Sequence, residues 1–294
     1  MQSQTRENLL GRYRGGVLVA MTIGILAWIA TPSSPVAQEL NKLLPDNIRS
    51  AGEIHVASNS AYPPFAFKNE GGDASGVESA LIRATAEKLG IKVKFTSIDF
   101  PSILPGVTAG RFDVGSGGFN NTEERRKVVE FVNYANAGSG IIVQKGNPAK
   151  ISTTDLCGKT IAASEGSAQR TNLGTLSDRC ASQGKPAIEM PTLKGTPAMV
   201  VALKSGRVQG VYIDKAVGGY LAGRDDTVEA LPGLVENPGG SPVVMGILVK
   251  KGDMQLTKAL QAGLNAAIKD GTYDKILKEW NLADEMKLKE ATVN

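Results

Sequence analysis

Arg125 stands in a run of five charges, Glu123 to Lys127, inside "GGFNNTEERRKVVEF", residues 117–131. A solvated helix start accounts for most such runs, because charge normally sits on helix surfaces. The spacing singles out one member of this run. Thr122 is a good N-cap, Glu123 and Glu124 suit a first turn, and on that helix Arg125 shares a face with Val128 and Val129 at i+3 and i+4. An arginine on an apolar face needs an anion, and its planar fork fits a carboxylate in a bidentate manner. Asp214, closing "VQGVYID", is the opposite charge, although an aspartate beyond a strand is also a common turn residue or cap. Paired with Arg125 across a cleft, it accepts an ammonium. Tyr62 and Phe100 offer aromatic faces, with core packing as their other reading. Carboxylate clamp, ammonium acceptor and aromatic walls together describe a site for an α-amino acid.

These residues need a scaffold that brings them to one place. "EIHVASNS" and "IKVKFTSI" alternate as strands do, and apolar residues from Gly76 to Leu89 recur at helical spacing. "PSILPGVTAGRFD" reads as a short helix and "DVGSGGF" as the next strand. The result is β-α-β-α-β, a parallel sheet with covering helices. A second α/β cycle follows: strands at Ile141–Val143, "KTIAASEGS" and "VQGVYID", with helices at "TPAMVVALKSG" and "AVGGYLAG". "SPVVMGILVKKG" adds a strand, and an amphipathic tail runs through Leu260, Leu264, Ile276 and Trp280. Returning that tail to the first unit leaves two connections, near Gly138–Val143 and Ser241–Leu248, and a cleft between the units. Ligands of open α/β sheets sit beyond the carboxyl ends of the strands. That rule selects Asn59 to Tyr62, Phe100, Gly117 to Arg125, Gly166 to Ala168 and Asp214.

Composition fits such an architecture. The chain has 294 residues, room for about two domains, with 41% hydrophobic and 21% charged residues, an ordinary globular balance. Residues 1–37 have the layout of a secretory signal: Arg6, Arg12 and Arg14, then the uncharged "GGVLVAMTIGILAWIA", then small residues up to Ala37. An uncleaved anchor is the alternative. Removing the segment takes the net charge from +4 to (33 − 3) − (29 − 1) = +2, which argues against a nucleic-acid partner. After export, Cys157 and Cys180 read first as a disulfide and otherwise as two buried thiols. His55, the single histidine, lies mid-strand and is expected in the core, so no metal site and no cofactor are foreseen.

Six segments in this order carry a resemblance: "YPPFAF", "FPSILPGVTAGRFDV", "NNTEERRKVVEF", "LCGKTIAASEGS", "ALKSGRVQGVYID" and "IKDGTYDKILKEW". The chain resembles the family-3 periplasmic solute-binding proteins of ATP-driven amino acid uptake systems. The resemblance implies the type II periplasmic binding protein fold, two α/β lobes on a two-strand hinge. Lobe 1 would be residues 38–140 plus 241–294, and lobe 2 residues 141–240. It implies that Arg125 grips the substrate carboxylate, that Asp214 and the Gly118 carbonyl take the ammonium, and that Tyr62 and Phe100 sandwich the side chain. Asn120 stands where a hydroxyl residue often bonds the carboxylate. Ser167 and Ala168 match a turn that offers it a backbone N–H from Ala168. Asn59 replaces the aspartate of basic amino acid binders, so the expected ligand is a polar uncharged or acidic amino acid, with Glu78 as the other acid able to reach the site.

Function follows by the same resemblance: a monomeric periplasmic protein that captures an amino acid and delivers it to the membrane permease of an ABC transporter. Two other classes share the fold or its use, an enzyme like cyclohexadienyl dehydratase and a ligand-sensing protein. The enzyme would need a placed titratable group, and neither His55 nor the cysteines supplies one by sequence.

Overall fold

The computed structural model describes residues 35–238, 243–282 and 284–294. The basic and apolar parts of the expected signal lie outside the described residues. Pro35 to Ala37, its last three, open helix α1 (Pro35–Asn41), and α2 (Asp46–Ala51) follows. Strand β1 (Glu53–Asn59) leads through a small antiparallel sheet, β2 (Ala61–Tyr62), β3 (Ala66–Lys68) and β4 (Ala74–Ser75), into α3 (Val77–Lys88). Then come β5 (Lys92–Ile98), α4 (Phe100–Thr108) and β6 (Val114–Asn120). β5 and β6 both pair parallel to β1, the arrangement that the alternating β-α units require.

The next stretch departs from the sequence reading. The helix after Thr122 is a single turn, α5 (Glu123–Arg126), and Val129 already belongs to β7 (Val129–Ala137). Val128 is 44% exposed, so the proposed inward valine face does not exist. β7 is buried along most of its length, sandwiched within a sheet, and that masks the period-2 pattern of a half-buried strand. Gly138 alone connects it to β8 (Ser139–Gln144).

A second sheet then forms from β8, β9 (Ile161–Ser164), β10 (Thr192–Leu193), β11 (Gly210–Asp214) and β12 (Val228–Ala230), in the order β10-β9-β11-β8-β12. Helices α6 (Ala168–Ser182), α7 (Gly195–Lys204) and α8 (Lys215–Ala222) accompany it. The chain returns as β13 (Val243–Lys250), α9 (Met254–Lys269), α10 (Thr272–Glu279) and β14 (Thr292–Val293). The first sheet is thereby completed in the order β14-β7-β13-β6-β1-β5. Of the second expected crossing, Val243–Leu248 lies in this first sheet, and Ser241 and Pro242 lie outside the described residues.

Leu81 of α3 and Leu89, which caps it, pack with Leu256, Leu260 and Leu264 of α9 in the core of the first sheet. Each such fully buried side chain stabilises by roughly 1.5–3 kcal/mol. Leu173 and Cys180 of α6 cover Ile141 and Ile161 of the second sheet. Cys157 and Cys180 form a disulfide with Cα atoms 5.6 Å apart. His55 contradicts its expected place in the core. It is exposed, on the open face of β1, with Nε2 3.2 Å from Glu53 Oε1.

Candidate functional site

The carboxyl ends of the first sheet carry one wall of a cleft. Asn59 closes β1, Tyr62 lies on β2, and Phe100 begins α4 one residue after β5. Gly117, Gly118 and Asn120 come from the end of β6. Gly118 has φ +70, and a Cβ there would lie 2.7 Å from Tyr62 Cε1, so only glycine lets this strand lie against the tyrosine ring. Phe100 stacks on Phe119 with centroids 4.5 Å apart. Phe119 went unnoticed in the sequence, where it reads as one more apolar strand residue.

The second sheet supplies the other wall. Ser167 caps α6: its Oγ accepts from Arg170 N–H at 3.1 Å and donates to the Ser164 carbonyl at 2.7 Å. Ala168 is the first residue of α6, where backbone N–H groups lack intrahelical acceptors and the helix dipole favours an anion. Asp214 closes β11. All nine expected site residues line this one cleft. Gln169, Thr196 and Met199 line it as well and were not anticipated.

Two charges dominate. Arg125 is placed by Thr122, whose Oγ1 accepts the Arg125 backbone N–H at 3.3 Å. Its guanidinium lies 5.0 Å from the Phe119 ring centroid and 5.9 Å from that of Phe100. Nη1 donates to the Asn120 carbonyl and Nη2 to the Gly166 carbonyl, each at 2.9 Å, so the side chain reaches from one wall to the other. Burial pushes its pKa down to about 10, against the pull of Asp214 and Tyr62. Asp214 is 2% exposed. Its carboxylate accepts the Tyr62 O–H, Gln169 Nε2 at 2.9 Å and Asn120 Nδ2 at 3.4 Å. Burial pushes its pKa up to about 6, against these hydrogen bonds and the Arg125 charge. Gln169 Nε2 also donates to Ser139 Oγ at 3.0 Å, so Gln169 holds Asp214 from behind.

Glu78 does not line the cleft. It is fully buried on α3, and one carboxylate oxygen accepts the backbone N–H groups of Gly117 and Gly118 at 2.8 Å each. A fixed cation, a fixed anion and aromatic faces between them suit a zwitterion with a side chain of moderate size.

The sequence pattern of the bacterial extracellular solute-binding proteins, family 3, matches residues 54–283. The arginine-binding protein ArgT of Corynebacterium glutamicum is 28% identical over 304 aligned positions, spanning 94% of this chain and 95% of the relative. A solved ancestral arginine-binding protein bound to glutamine superposes with a TM-score of 0.67 at 34% identity, over 78% of this chain and 97% of that one. The ancestral amino acid-binding protein AncCDT-1, a precursor of cyclohexadienyl dehydratase, has a TM-score of 0.67 at 30% identity, over 81% of this chain and 99% of that one.

Proposed function

As the chain belongs to the bacterial extracellular solute-binding proteins of family 3, we propose that its cleft captures one α-amino acid outside the cytoplasmic membrane and presents it to the permease of an ABC transporter. One observation carries this reading: Arg125, on α5 between two strands of the first sheet, and Asp214, at the end of β11 in the second, are opposite charges that face the same cleft. Arg125 receives the α-carboxylate, with Asn120 and the Ala168 N–H beside it. Asp214 and the Gly118 carbonyl receive the ammonium. Tyr62 and Phe100 flank the side chain, and Ser167 shapes the turn.

The lobes of this reading are residues 38–140 with 241–294, and 141–240. The strands of the first sheet fall within 53–137 and 243–293, and those of the second within 139–230, which starts two residues before the proposed lobe 2. Closure of one lobe on the other makes the bound form recognisable to a permease. The protein acts as a monomer and catalyses no reaction. Among the described residues lining the cleft, Asp214 is the one acid, and Asn59 offers an amide, so the ligand is polar and uncharged or acidic. The relatives' names include arginine, which makes the ligand class the point to test.

Thermal unfolding with each of the twenty amino acids tests the proposal. Ligand at one hundred times its Kd stabilises by about 2.7 kcal/mol. Glutamine, asparagine or glutamate should raise Tm and lysine should not. A response to arginine with none to those three overturns the ligand class. No response to any amino acid overturns the function.

A further inference from the structure

β6 and β13 fall out of step beside the cleft. Phe119 pairs with Gly246 and Gly115 with Leu248, so β6 spends four steps where β13 spends two. The extra length lies around Gly117 and Gly118. A bulge of this kind bends a strand and frees backbone groups from the ladder. With Gly118 in the left-handed region, consecutive N–H groups converge into a nest that binds anions. The anion here is the protein's own: the Gly117 and Gly118 N–H groups both donate to one oxygen of Glu78. In a trans peptide the carbonyl points opposite the next N–H, so the Ser116 and Gly117 carbonyls are aimed away from Glu78.

We propose that Glu78 is a positioning residue of the ligand cleft: its buried carboxylate, seated in the Gly117–Gly118 nest, fixes the bulge that sets Gly118 against Tyr62 and thereby the wall facing the amino acid. Its ligand consequence rests on the function proposed above; its structural consequence does not. Two N–H groups donating to one carboxylate oxygen do what a ladder partner does elsewhere in β6.

Charge is what makes the carboxylate a good nest anion, and this one sits near its loss. Burial raises its pKa to about 7, although the Gly118 and Gly117 N–H groups, Ser116 and Tyr134 act to lower it. Tyr134 of β7 is the titratable neighbour, with Tyr62, Asp214 and Tyr273 grouped around that tyrosine in turn. α9 and α10 pack on α3. The buried face of α9 carries no ionisable residue, and that of α10 carries Tyr273.

The test reads the two glycine amides directly in the ligand-free protein. In proton–nitrogen correlation spectra, the Gly117 and Gly118 amide protons should shift together as pH crosses neutrality, because both report the charge on one acceptor. Glu78→Gln should abolish that movement, and Glu87→Gln, at an exposed acid on the same helix, should leave it intact. Calorimetric titration with L-glutamine, L-asparagine, L-glutamate and L-arginine supplies the second readout. Whichever of them binds the wild type should bind Glu78→Gln about tenfold more weakly, the size of one charged hydrogen bond. Static amide shifts, or Glu78→Gln binding as tightly as the wild type, overturn the proposal. If Glu78→Gln does not fold, the wild-type amide titration alone decides. If none of the four binds, the amino acid reading fails and the amide titration still judges Glu78.

Discussion

The Tyr62 hydroxyl donates to Asp214 Oδ2 across the cleft, joining residues 152 apart in the chain. Asn120 Nδ2 reaches the other oxygen of the same carboxylate, and Arg125 Nη2 reaches Gly166, so the walls are tied by the groups proposed to hold the ligand. Tyr62→Phe keeps the aromatic wall and removes one tie. The ligand-free variant should therefore be more open than the wild type, with a larger radius of gyration in solution scattering. Addition of the amino acid should bring both to the same value. Identical scattering of the two ligand-free proteins would show that the contact does not hold the cleft closed.

Arg125→Ala removes the carboxylate clamp. Loss of binding by about 2–5 kcal/mol is expected, as when one member of a buried charge pair is truncated. Arg126 bonds the Asn121 side chain at 2.9 Å, and Lys127 is exposed. Alanine at either should cost well under ~1 kcal/mol of binding, as for exposed charges generally. Calorimetric titration of the three variants checks the ranking.

Asp214 gives the binding a pH dependence. Its pKa of about 6 means that the ligand-free cleft loses its anion as pH falls through that value. Affinity for a zwitterion should weaken there, approaching about tenfold per pH unit on the acid side. Binding near that pH should release protons, seen as a buffer-dependent heat. A Kd that is flat across this range would remove Asp214 as the ammonium acceptor.

Folding stability responds with the opposite trend. Asp214 and Glu78 both titrate above the usual carboxylate range when folded, at about 6 and about 7. Between the ordinary value near ~4 and these raised values, the folded protein binds more protons than the unfolded chain, so stability falls as pH rises through that window. These two groups are least costly to stability below it. Denaturant midpoints of wild type against Glu78→Gln should converge in acid and separate toward neutral pH.

The disulfide closes a loop with a sequence separation of 23 residues. In the chain-entropy account it stabilises by about 3 kcal/mol. Reduction should lower the urea midpoint accordingly, and the unfolded, unreduced protein should show no reactive thiol.

Strand ends were legible in the sequence, and they were enough to assemble the cleft. Each of Asn59, Phe100, Asn120 and Asp214 follows or closes a strand that the apolar patterning marks. For Arg125 the strand-end rule holds and the helical-spacing argument fails, because the chain leaves α5 for β7 after Lys127. α6 escaped detection because its buried stripe is Gln169, Leu173, Ser177 and Cys180, helical in spacing but largely polar. With the helix went Gln169, whose amide orients Asp214. By sequence Glu78 reads as an acid able to reach the ligand. Its burial behind β6 depends on a two-residue bulge that no single-chain periodicity encodes.

β6 and β7 are consecutive in the chain, yet β13 lies between them in the first sheet. As the polypeptide emerges from synthesis, every strand of the second sheet arrives in one unbroken stretch, 139–230. The first sheet must wait, with an open slot between β6 and β7, until Val243–Lys250 appears to fill it. Until then both strands present unpaired edges of the kind that invites wrong partners. The half that carries Asp214 is therefore ready early and the half that carries Arg125 late. A chain halted before Val243 would hold one finished sheet beside a divided one, and the two poles of the cleft meet only when the last long strand slides home.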